Sequence, residues 1–143
     1  MTANTPIHAF TDDALGDLDA TGVAARIESG EVTAREVMEA SIARAEAVQG
    51  QLNGLACTDF DRALARSNRP AKGVFAGVPT AIKDNTDSAG LPTQQGSTAF
   101  TAIPAKADSG GSSLLSARDT QSIAFFSSGV SEPLYSGEAI RKP

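Results

Sequence analysis

Few side chains in this chain of 143 residues could do chemistry, and one is placed to do it. Lys83 closes a short apolar run, Val78 to Ile82, that begins after Gly73-Val-Phe-Ala-Gly77. Bounded apolar runs of this length read as buried strands. Beyond Lys83 come Asp84-Asn85-Thr-Asp87 and two turn signals, Gly90-Leu-Pro92-Thr93 and Gly96-Ser97. In open α/β sheets, sites gather outside the carboxyl ends of strands. An amine there accepts a proton only when neutral, and its free pKa is about 10.4. Uncharged neighbours such as Val78, Pro79, Ala81 and Ile82 would favour the neutral form by desolvation. Strand alternation sends the Asp84 side chain to the opposite face, so it need not restore the charge. The plainer alternative is a lysine that marks the strand's exit into water.

Other reactive groups have less support. His8 is the single histidine, in an N-terminal lead over residues 1–10, and one imidazole coordinates little alone. Cys57 is the only cysteine, so no internal disulfide forms. It reads as a small buried hydrophobe, because a nucleophilic thiol needs a base nearby. No residues show metal-ligand spacing, no cofactor motif occurs, and the Gly-Lys-Ser/Thr ending of a P-loop is absent after Gly73.

The elements that must position Lys83 follow from periodicity. Thr11-Asp12-Asp13 can cap a short helix. Val23, Ala24 and Ile27 have helical spacing over 19–29, stopped by Gly30. Thr33-Ala-Arg-Glu36 is a capping box, and Met38, Ile42, Ala45 and Val48 then mark a helix over 33–49, ended by Gly50. Met38 belongs to the core, and Arg35, Glu36, Glu39 and Arg44 face outwards. Leu55 to Cys57 is a strand. Thr58 caps a helix over 59–67, with Phe60, Ala63 and Leu64 inside and Arg62 and Arg66 outside. This is an α/β beginning. Residues 109–143 hold 9 Ser, and that composition leans towards loop or disorder.

The whole stretch Gly77-Val78-Pro79-x-Ala81-Ile82-Lys83-Asp84-Asn85, with Ala89-Gly90-Leu91-Pro92-Thr93 and Gly96-Ser97, resembles the lysine segment of the amidase signature family. Those enzymes hydrolyse carboxylic amides, and some release ammonia from glutamine for tRNA-dependent amidotransfer. The resemblance runs from about Leu15 to Asp108. It implies the N-terminal part of the amidase-signature fold, helices plus the start of a mixed sheet, incomplete, over residues 1–108, with a divergent tail over 109–143. It implies Lys83 as the ultimate base of a Ser-cisSer-Lys mechanism. By the family's spacing, the bridging serine and the nucleophile fall after Pro143. Ser109-Gly110-Gly111-Ser112-Ser113 is only superficially like the family's glycine-serine segment, because it lies too close to Lys83 and lacks the second glycine pair. The departure after Asp108 suggests a truncated or frame-shifted product, weakly active or inactive. The implied ligand is a small-molecule amide.

Composition bounds the partners. Net charge is −5, which argues against nucleic acid or an anionic membrane. No run of about 18 apolar residues exists to span a bilayer. The N-terminus lacks a basic region followed by an apolar one, so no secretory signal is expected and a cytoplasmic location fits. The rival expectation is a non-catalytic helical module whose uncovered apolar face favours self-association.

Overall fold

The computed structural model describes residues 6–70, 72–97, 99–110 and the backbone of 121–126. Its elements run α1 (Ala20–Glu28), α2 (Ala34–Leu52), β1 (Leu55–Thr58), α3 (Phe60–Ser67), β2 (Pro79–Lys83) and β3 (Gln121–Phe126).

Each helix starts where a side chain can satisfy its first amides, α3 excepted. The Asp19 carboxylate accepts from the Gly22 amide to open α1. The expected capping box opens α2: the Glu36 amide donates to Thr33 Oγ1 at 3.1 Å, and the Thr33 amide donates to Glu36 Oε2 at 2.8 Å. Gly50 does not end this helix. It runs 19 residues to Leu52 and closes on Asn53, whose φ of 45° lies in the left-handed region that helix C-termini use. Asp59, not Thr58, stands at the start of α3, without a side-chain cap bond. Thr11-Asp12-Asp13 opens a turn, not a helix. There Asp13 Oδ1 accepts from the amides of Leu15 (2.9 Å) and Gly16 (3.3 Å).

The core has two lobes that meet on α2. Met38 and Ile42 pack with Leu55 and Ala63, flanked by Phe60, Leu64 and Ala81. Val37 packs with Val23, Val32 and Val78, flanked by Leu15, Ile27 and Phe75. Val37 and Met38 are both fully buried, so neighbouring positions on α2 serve different lobes. Arg35 pairs outwards with Glu39, as expected. Arg44 does not face outwards. It reaches Asp13 with two nitrogens, at 2.7 Å each, and donates to the carbonyls of Thr11 and Gly16. The N-terminal segment is thereby tied to the middle of α2.

The sheet is mixed, in the order β1-β3-β2. β1 pairs antiparallel with β3, Leu55 opposite Phe126, and β2 pairs parallel with β3, Lys83 opposite Phe126. The strand between the other two thus comes from the stretch expected to be irregular. The β-forming run Ser122-Ile-Ala-Phe-Phe supplied a signal for it, outweighed by the serine-rich surroundings. The rest of the expected irregular tail, residues 111–120 and 127–143, lies outside the described residues, as do Ser112 and Ser113.

Candidate active site at the carboxyl end of β2

Position 83 is reached through a close approach. Gly77 has φ +82°, and a Cβ there would stand 2.5 Å from that of Ala34. Only glycine lets the chain pass α2 so closely and turn into β2. Val78 and Ile82 then anchor the strand in the interior, at 5% and 3% exposure.

Side-chain direction alternates at the strand's end. Ile82 and Asp84 are buried, and Lys83 between them is exposed. The expected burial of Lys83 is therefore corrected. The apolar residues before it in sequence line the interior, while its own side chain leaves the strand on the solvent side.

Asp84 carries more of the local structure than its place in the sequence suggests. The residue is 4% exposed. Oδ1 accepts from the Gln94 amide at 2.8 Å and Oδ2 from the Gly96 amide at 3.0 Å. Gln95 and Gly96 both adopt positive φ, 54° and 69°, in the turn that carries these amides. The Lys83 carbonyl accepts from the amides of Asn85 (2.7 Å) and Thr86 (3.1 Å), which turns the chain as it leaves the strand. A signal for Asp84 was available: strand alternation puts it on the same face as the apolar Ile82, and a buried carboxylate needs donors.

The rest of this loop is held from two sides. Arg62 on α3 donates to the Ala89 carbonyl at 2.8 Å, and the Ala89 amide donates to Asp108 Oδ1 at 2.8 Å. Gly90 and Ala105 bond through the backbone at 2.9 Å, and Ser109 donates its amide to the Asp87 carbonyl at 3.0 Å. Arg62 was expected to be merely an outward charge, yet it also pairs with Asp59. Between this loop and residues 103–109 lies an open cavity of about 540 Å³, lined by Asp87, Thr93 and Lys106 among others. Thr93 Oγ1 is buried with no hydrogen-bond partner among the described residues.

The remaining candidates are Cys57 and His8. Cys57 is buried, and burial, reinforced by Asp59 and Asp84, pushes its thiol up to about 11. Such a thiol is a packing residue and a poor nucleophile. His8 is exposed, its ring 6.1 Å from that of Phe10. Among the described residues no three His, Cys, Asp or Glu side chains could hold a metal ion. No helix among them is long and apolar enough to cross a membrane.

The segment that carries this strand and loop falls within a known protein family. The amidase family model matches residues 36–124, and the chain belongs to that family. The match runs past Asp108 and takes in most of β3. AmiC of Mycobacterium tuberculosis, a protein that carries an amidase name, is 47% identical over 134 residues, covering 88% of this chain and 28% of its own. A glutamyl-tRNA(Gln) amidotransferase component from Streptomyces coelicolor is 41% identical over 88 residues, covering 56% and 18%. Among solved structures, 6-aminohexanoate cyclic dimer hydrolase superposes with a TM-score of 0.70 at 28% identity, covering 81% of this chain and 24% of that one. Fatty acid amide hydrolase superposes at 0.77 and 20% identity, a likeness of fold, covering 84% and 23%. The fold is thus an N-terminal part of the amidase-signature α/β fold. The chain spans between 18% and 28% of the length of these two curated relatives.

Proposed function

We propose that this chain carries the lysine segment of an amide-hydrolysing site, with Lys83 as the ultimate base. The supporting observation is the position of Lys83 at the carboxyl end of β2, inside the stretch that the amidase model matches. In the scheme that the family resemblance implies, the lysine amine takes a proton from a bridging serine. That serine takes one from the nucleophilic serine, which attacks the amide carbon. The reverse path returns the proton to the leaving amine. The substrate class is a small carboxylic amide.

By family spacing, neither serine lies within these 143 residues. A base without a nucleophile has little to activate, and members of such a unit fail together. The 143-residue chain assayed alone should show at most trace hydrolysis of aliphatic or aryl amides. An ordinary enzymatic rate that vanishes in Lys83→Ala would mean that the chain supplies its own nucleophile. The role of Lys83 is tested by placing this chain in an active relative, in place of that relative's matched portion, and removing the lysine.

A second reading is favoured by one observation. Val74, 81% exposed, lines a cavity beside Ala24 and Ile27 of α1. An uncovered apolar surface of this kind favours self-association. Sedimentation over a concentration series reads it directly: a monomer throughout removes this reading.

A further inference from the structure

We infer that Asp84 is a positioning residue: its buried carboxylate sets the turn bearing Gly96 and Ser97 against the end of β2 beside Lys83. Two backbone donors converge on this one side chain, Gln94 on Oδ1 at 2.8 Å and Gly96 on Oδ2 at 3.0 Å. Both oxygens are therefore used, and each fixes a different residue of the turn. The turn then closes on itself. Ser97 donates its amide to the Gln94 carbonyl at 3.0 Å, and Gln94 Nε2 donates to the Phe100 carbonyl at 3.1 Å. Hydrogen bonds to an ionised acceptor are about twice as strong as neutral ones, and a buried carboxylate left without donors is costly. The carboxylate and the turn thus hold each other. Asp84 follows Lys83 directly, so whatever fixes Asp84 also fixes the backbone from which the lysine side chain departs.

The catalytic consequence rests on the reading of Lys83 as a base. The placement of the turn does not, and the experiment separates them. Amide hydrogen exchange by NMR is measured on the 143-residue chain, as wild type, Asp84→Ala, Asp84→Asn and Asp108→Ala. Met38 and Ile42 amides in α2 serve as internal standards. Asp84→Ala should lower protection of both Gln94 and Gly96 at least about ten-fold relative to α2. Asp84→Asn keeps one acceptor oxygen and should spare one of the two amides. Asp108→Ala should release Ala89 and leave Gln94 and Gly96 protected. The wild type alone also decides: both amide protons should lie downfield, as carboxylate-bound amides do. Unchanged protection in Asp84→Ala, equal loss at Met38 and Ile42, or ordinary wild-type shifts would each overturn the assignment. None of these readings requires hydrolysis, so failure of the amidase reading leaves the test intact.

Discussion

Gly77 and Ala34 approach each other so closely that the Cβ missing from Gly77 would lie 2.5 Å from the Cβ of Ala34. The contact joins the first turn of α2 to the turn entering β2, and so sets where the lysine-bearing strand begins. Gly77→Ala adds this overlap to the strain of φ +82°. Left-handed strain costs about 1–2 kcal/mol and overpacking about 1–3, so a loss of about 3 kcal/mol is expected. Urea unfolding measures it. Adding Ala34→Gly should recover the packing share and leave the conformational share.

The Asp13–Arg44 pair should govern part of the acid stability. Hydrogen bonding from the Arg44 guanidinium holds the Asp13 carboxyl below its ordinary 3.8, against the opposing effect of burial. A depressed folded-state pKa contributes stability that is present above the unfolded value. That stability disappears as pH falls through the folded one. Stability should therefore drop from about pH 4 downwards, and Arg44→Met should flatten that part of the profile. At neutral pH Arg44→Met should cost about 2 kcal/mol, since hydrogen bonds to charged groups contribute about 1.5–3. Phe10, whose ring lies 5.7 Å from the Arg44 guanidinium carbon, should become more mobile in the same variant.

Cys57 should be inert in the folded chain. It is 3% exposed, and burial raises its thiol to about 11. At pH 8 a disulfide reagent should fail to label it in buffer and label it fully in urea. Asp59→Asn removes one of the charges that disfavour the thiolate, and should lower the thiol pKa without exposing the sulfur.

Much of this arrangement could be read from local pattern. The box Thr33–Glu36, the core placement of Met38 and the strand at Leu55 rest on neighbours within a few residues, and local spacing encodes such features. Arg44 could not be placed that way, because its partner Asp13 lies 31 residues away. β3 was hidden by composition, since a six-residue strand within a serine-rich stretch gains its stability from pairing with β1 and β2. At the site, alternation correctly sent Asp84 and Lys83 to opposite faces. Which face is the inner one was reversed: the charge-free residues before Lys83 suggested its burial, yet Asp84 is the one inside. Apolar neighbours in sequence line a strand's inner face, and they do not cover the side chain that points away from it.

What remains decisive is whether the Lys83 amine moves the proton in amide hydrolysis. The direct measurement grafts this chain into M. tuberculosis AmiC in place of the matched 28% of that protein, and follows ammonia release from simple amides. The expected graft hydrolyses them, with the rate falling by about 10³-fold or more in Lys83→Ala while the fold is kept. A Lys83→Ala graft that works as fast as its parent would contradict the assignment of Lys83 as the base.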